Sequence, residues 1–293
     1  MGFLDFLQTR PRGFRAEARP EGVAPYPFWI DAAGSDDAIS RDILRSGMWQ
    51  AFETTLVQRM LPHFDAFVEA GANIGWYTAL AQRVMKPTAQ IHAFEPDPQN
   101  FGLLKLNTSG GVSAGKGPTT RLTRAAISDH AGSARLFHSP TSVADHSLFA
   151  SPGASRSISV PVTALDTHFA KTDLPPMLAK LDAKGNEPRI FSGASKVLSP
   201  RLRENAYILE FWPNGVMGAG ENVEAFAALL ATFEQRPFVI YHESGGLRPT
   251  TWDELGGRTK TGVSSMRQYF LDILMVTPGT PAYFAVSDFI VTE

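Results

Sequence analysis

The chain's 293 residues suffice for one large core, and its apolar, charged, glycine and proline shares are those of an ordinary globular protein. A formal charge of −2 gives no pull toward nucleic acid, so no nucleic-acid partner is expected. The absence of cysteine excludes disulfides, thiolate metal sites and cysteine nucleophiles, and it fits a reducing, cytoplasmic setting.

No apolar run reaches the length of a bilayer crossing, so stable membrane insertion is not expected. Phe3, Leu4, Phe6 and Leu7 open the chain, but Asp5 interrupts them and the arginines follow rather than precede, unlike a secretory signal. With Arg10, Arg12 and Arg15 they suit a helix capping the main domain or a surface-docking patch. The stretch to Pro27, rich in arginine, glycine and proline, reads as a loosely structured arm. Between residues 37 and 60, Ile39, Ile43, Leu44, Met48, Phe52, Leu56, Val57 and Met60 recur at helical spacing, and Gly47 splits two helices. Residues 1–60 are thus expected to form an arm and helical cap on a domain over 61–293.

From there the rhythm changes. Strands are predicted at 64–70, 90–94, 122–127, 177–183, 206–211, 238–242 and 269–276, with helices at 76–85, 98–107, 187–198 and 223–233. A further strand pair is expected near 134–138 and 158–162, and loops at 108–120 and 139–157. Such alternation demands a mostly parallel sheet with helices on both faces. The two last strands, joined by a loop, suggest an antiparallel pair at one edge. The stretch Thr250, Thr251, Trp252, Asp253, Glu254 suits a lid or an edge loop.

In an open parallel sheet, ligands sit beyond the carboxyl ends of the strands. The first strand ends in Glu69-x-Gly71-x-x-x-Gly75 and a helix follows at once. Glycine lets the backbone turn sharply and approach a ligand closely. The second strand ends at Glu95, stopped by Pro96, and a carboxylate there can accept both hydroxyls of a ribose. Dinucleotide sites want G-x-G-x-x-G, whose first two positions are here Ala70 and Ala72. The missing Gly-Lys-Ser/Thr excludes a Walker loop. An acid-x-Gly-x-x-x-Gly loop suits S-adenosylmethionine, whose amine Glu69 can help to hold.

The residues that carry this pattern resemble the FkbM family of methyltransferases. The matching stretches are 67–78 (FVEAGANIGWYT), 93–98 (AFEPDP) with Asn100, 126–129 (AISD) with Gly132, 162–166 (VTALD), and Lys180-Leu181-Asp182 with Gly185 and Glu187. The resemblance implies a Rossmann-like seven-stranded sheet with an antiparallel last strand, and O-methylation of sugars or polyketide natural products. By position, Glu69, Gly71, Ala72, Asn73 and Gly75 would cradle the methionine part, Glu95 and Pro96 would hold the ribose, and Ser128 and Asp129 would lie beside the adenine. Two departures stand out. Glu69 occupies a position where the family has aspartate, and Lys184 replaces the glutamate of its Lys-x-Asp-x-Glu-Gly signature.

Methyl transfer to a hydroxyl needs an aligned oxygen and a base. Asp182 ends the fourth strand, and alternation would put Lys180, Asp182 and Lys184 on one side. Two cations would lower the Asp182 pKa, leaving it to orient the acceptor rather than deprotonate it. His146 and Glu210 are the other candidate bases. His92 and Glu187 suit packing or capping. Trp49, Phe52, Trp76, Tyr77, Phe211 and Trp212 are candidates for stacking on a sugar or ring acceptor, Trp212 best placed among them. Lys180 and Lys184 would bind the acceptor, and Lys184 suggests an anionic one. No run of His, Asp and Glu has metal-ligand spacing, so no metal is expected. A cofactor-binding pseudoenzyme and a nicotinamide-dependent oxidoreductase are the alternative readings.

Overall fold

A β-hairpin opens the described chain, with β1 (Gly13–Ala18) antiparallel to β2 (Tyr26–Asp31). The computed structural model describes residues 13–31, 38–110, 117–139, 146–150, 156–257 and 270–291. Phe3 to Arg12 lie outside them. The hairpin corrects the expected loose arm. Tyr26, Phe28 and Ile30 alternate with less buried neighbours and pack into the core, and this period of two makes a strand of a segment rich in turn formers nearby.

Helices Ala38–Ser46 and Ala51–Met60 follow, separated at Gly47, whose φ of +75° suits glycine. Then come β3 (Ala66–Ala70), helix Trp76–Val84, β4 (Gln90–Phe94), helix Pro98–Ser109 and β5 (Thr119–Thr123). A separate three-stranded sheet holds β6 (Ala126–Ile127), β7 (Gly132–His138) and β8 (Arg156–Thr163). The predicted strand at 122–127 is therefore two strands in two sheets, because the chain turns between Thr123 and Ala125. The predicted pair near 134–138 and 158–162 is present, as β7 against β8.

The main sheet resumes with β9 (Met177–Leu181), helix Glu187–Ser192, β10 (Ala206–Phe211), helix Val223–Leu230, β11 (Arg236–Tyr241), β12 (Gly246–Pro249) and β13 (Leu271–Val276). Its order is β12-β11-β13-β10-β9-β3-β4-β5. β10, β9, β3, β4 and β5 run parallel, and β13 is antiparallel to both β10 and β11. This is the expected Rossmann-like α/β sheet with its last strand reversed, plus an eighth strand. The antiparallel pair β11 and β13 does not form the edge; β12 does. Helix Trp252–Gly257 follows β12 closely, and Trp252 is buried near Phe211, so this region is neither a lid nor a plain loop.

Helices cover both faces. Phe67, Leu178, Ile208 and Leu274 pack with the hairpin and the helices Ala38–Ser46, Ala51–Met60 and Trp76–Val84. Val68, Ala179, Leu209 and Ile273 pack on the other face with Ile190, Phe191, Phe226 and Leu230. Strand alternation divides the two sets. The same alternation sends Glu69, Lys180, Glu210 and Asp272 toward the face covered by the N-terminal helices.

Candidate functional site

A cavity of about 700 Å³ opens beyond the carboxyl ends of β3, β4, β9 and β10, the position expected of a ligand in such a sheet. Its floor includes Gly71, Ala72, Asn73 and Ile74. Gly71 has φ +83°, and a Cβ there would lie 2.0 Å from the carbonyl oxygen of Asp182. Gly75 has φ +88°, with Leu104 at 2.6 Å from its Cβ position. Both positions exclude a side chain, by conformation and by contact. Glu69 is buried beneath this loop and accepts a bond from the Thr78 hydroxyl. Burial pushes its carboxyl up to about 8, against the Thr78 bond.

Glu95 holds the neighbouring corner. One carboxylate oxygen accepts from Asn73 N at 2.8 Å and the other from Asp97 N at 2.8 Å. Burial raises its carboxyl to about 8 as well. The proline-flanked sequence has a local purpose. Pro96 closes the strand, Asp97 caps the following helix through Gln99 N and Asn100 N, and Pro98 takes the first helical position.

Four adjacent strands then supply a row of charge. Glu69 and Lys180 are register partners across β3 and β9, and Glu210 and Asp272 are partners across β10 and β13. Lys180 Nζ lies 3.2 Å from Glu53, 3.4 Å from Asp182 and 5.1 Å from the Tyr77 ring centre. Burial disfavours its charge, but Glu53 and Asp182 outweigh that and hold its pKa above the usual value. Lys184 bridges Asp182 at 2.9 Å and Glu210 at 2.8 Å. Burial opposes ionisation of Asp182, yet Lys184 and Lys180 hold its carboxyl below the usual range. Burial lifts Glu210 to about 8 against the pull of Lys184. The triad thus keeps Lys184 and Asp182 charged and makes Glu210 the carboxyl whose ionisation lies nearest neutral pH.

Lys180, Asp182 and Lys184 do meet, but not through strand alternation. β9 ends at Leu181, and Lys184 reaches Asp182 through a left-handed turn at φ +51°. Glu187 pins that turn by accepting Ala183 N at 2.7 Å and Gly185 N at 2.9 Å. Because both contacts of Lys184 are the chain's own carboxylates, its charge is matched within the protein, unlike the expected open anion receptor.

Other expectations divide. Pro96, His146 and Trp212 line the cavity, as do Trp49, Trp76 and Tyr77. Phe52, half-buried, packs on Phe289 against the core, and Phe211 lies within the core between Phe226 and Trp252. Ser128 is buried, and its carbonyl faces Gly193. Asp129 pairs with His130 at 2.6 Å, and neither Ser128 nor Asp129 is among the cavity walls; Ala126 and Ile127 are. His92 packs on Phe169 and burial pushes its pKa down to about 4, leaving it neutral. Glu53 and the Asp272–His242 pair, joined at 2.6 Å, carry no motif and escape sequence reading. Their one signal is a carboxylate inside an apolar pattern.

With this geometry in view, residues 69–240 match the Methyltransferase FkbM domain. The chain belongs to the FkbM methyltransferase family. It is 32% identical over 123 residues to 31-O-demethyl-FK506 methyltransferase FkbM of Streptomyces tacrolimicus, covering 42% of this chain and 45% of that protein. The chain therefore spans less than half the length of this curated relative. Among solved structures it is similar to the methyltransferase FkbM from Methylobacillus flagellatus KT, at 13% identity and a TM-score of 0.35 over 84% of this chain and 61% of that one. It is also similar to the O-methyltransferase TomG from Streptomyces achromogenes, at 13% identity and a TM-score of 0.44 over 88% and 92%.

Proposed function

We propose that the chain is an S-adenosylmethionine-dependent O-methyltransferase acting on a hydroxyl of a sugar, glycan or natural product. The observation that carries this reading is the Gly71 cradle beside Glu95 on one cavity wall. A side chain at Gly71 would strike the Asp182 carbonyl, so only glycine keeps this loop's backbone at the cavity wall, and each Glu95 oxygen retains a lone pair beyond its backbone bond. The residues present fit the cofactor. Glu69, Gly71, Ala72, Asn73 and Gly75 would hold its methionine end, and Glu95 and Pro96 its ribose. Ile127 and Ala126 replace Ser128 and Asp129 as the side chains nearest the adenine end. Bound there, the cofactor supplies a sulfonium methyl group.

The chain's own groups do the rest. Asp182, ionised between two lysines, orients the acceptor hydroxyl. Glu210 is the better-matched proton acceptor, since a base works best with a pKa near the operating pH. Trp212, Trp49 and Tyr77 give the acceptor flat apolar walls. Lys184 neutralises carboxylates rather than recognising an anion, which favours a neutral polyhydroxyl acceptor. The relative named for 31-O-demethyl-FK506 supports oxygen as the methylated atom. Residues 13–60 serve as a cap on the 61–293 domain, sharing one core with it, and the protein acts in the cytoplasm.

Calorimetry with S-adenosylmethionine and its demethylated product tests the binding half, and absence of heat with both sinks the reading. Mass spectrometry of turnover against a panel of sugars, nucleotide sugars and macrolides tests the rest. Binding without turnover on any of them would instead favour a pseudoenzyme.

A further inference from the structure

Among the described residues, two groups of three bring His, Asp or Glu ligand atoms within 4.8 Å of one another. The first, Glu53, His242 and Asp272, already holds a cation, because Lys180 Nζ lies 3.2 Å from Glu53. The second is Asp97, His138 and His146, and among the described residues no lysine or arginine pairs with Asp97.

We propose that Asp97, His138 and His146 bind one divalent transition-metal ion of the zinc class. Asp97 is buried, and its Oδ1 is engaged in capping the helix Pro98–Ser109, which turns Oδ2 toward His138. His138 Nε2 lies 3.1 Å from that oxygen, is fully covered, and makes no hydrogen bond among the described residues. Two donors on one tetrahedral zinc, each at 2.0–2.1 Å, stand about 3.3 Å apart. The Asp97–His138 pair is thus already at ligand spacing. A shared ion would satisfy a fully covered imidazole nitrogen that stands beside a carboxylate oxygen without a hydrogen bond.

His146 completes the set by a small movement. Its ring lies parallel to His138, at 4.4 Å between centroids and 10° between planes, so it must turn to bring a nitrogen toward the pair. A metal–nitrogen bond outweighs the 3.2 Å bond from Ser139 N that His146 Nδ1 accepts here. Two imidazoles and a carboxylate suit zinc, cobalt or iron over calcium or magnesium. His146 lines the cavity, so a fourth position would face it. The three residues come from a helix cap, the end of β7 and the segment beyond it, which is why no spacing motif announces them. The ion would fasten His138 and His146 to the corner that holds Glu95.

The test uses the full chain, stripped with EDTA and dialysed. Titration with zinc chloride in a calorimeter is expected to give one ion per chain with micromolar or tighter affinity, and cobalt chloride to give the visible bands of a four-coordinate site. His138→Ala and His146→Ala should each weaken zinc binding by roughly tenfold or more. Asp97→Asn, which keeps an oxygen for the helix cap, should weaken it too, while substitution of the exposed His63 to Ala should not. Circular dichroism confirms folding; if His138→Ala unfolds, His146→Ala carries the test. Absence of binding in the micromolar range, or affinity unchanged in the folded histidine variants, would overturn the site.

Discussion

A Cβ built on Gly71 would stand 2.0 Å from the carbonyl oxygen of Asp182, so the glycine loop after β3 and the turn after β9 touch backbone to backbone. Asp182 N in turn donates to Ala70 O at 3.0 Å. Gly71→Ala must therefore separate two central strands as well as adopt φ +83°, which alone costs about 1–2 kcal/mol. The expected result is a melting temperature lowered by several degrees and cofactor affinity weakened by roughly tenfold or more. Retention of both values in calorimetry and thermal melts would remove the cradle argument.

Lys184 stands between two carboxylates, and restoring the family's glutamate there would bury three acids together. Lys184→Glu is expected to lose about 3–5 kcal/mol of stability, the range for breaking a buried pair. In the Lys184→Met background, Asp182→Asn should recover part of the loss, because it removes the ionised carboxylate that has lost its first cation. Urea midpoints measure both. A Lys184→Glu protein as stable as the parent would show that the triad is not closed to water.

Methyl transfer should depend on pH through Glu210. Its carboxyl, raised to about 8, is protonated below that value and cannot accept a proton there. The rate at saturating acceptor should climb through about pH 8 and then level, and Glu210→Gln should abolish the climb with little change in cofactor affinity. A flat profile in the parent protein would point to Asp182 instead, whose carboxyl is held ionised throughout that range.

Stability without cofactor should fall as pH rises. Glu69 titrates near 4.5 in the unfolded chain and at about 8 when folded. Below the lower value both states are protonated and the full stability is present. Above it the unfolded state ionises first, and stability declines until the folded group ionises in turn. Glu69→Gln should flatten that decline between about pH 5 and pH 8 in thermal melts. An unchanged slope would assign the effect to Glu95 or Glu187, which burial also raises.

Much of this was legible in the chain. Glu69 to Gly75 and Glu95 to Pro98 are local signatures, since a strand end, a glycine turn and a helix cap occupy consecutive residues. The sheet followed from alternating apolar runs. What escaped depends on distant pairing. Tyr26 reads as part of the arm, and Phe28 and Ile30 carry no assignment, because their partner strand GFRAEA holds no β-branched residue and has little strand character of its own. Glu53 reaches Lys180 from a helix far away in sequence, and Asp272 meets His242 where β13 pairs beside the end of β11. Asp129, placed beside the adenine by position, turns toward His130 because its segment enters the small sheet.

The placement of β13 has a consequence for how the molecule is made. This strand slots between β10 and β11, both of which precede it. During synthesis those two strands emerge with a gap between them, and the sheet closes only when the chain returns to fill it. Until then β10 and β11 each expose a backbone edge open to pairing with other chains. A fragment cut at residue 240, where the family match ends, would keep that gap permanently and should aggregate rather than fold.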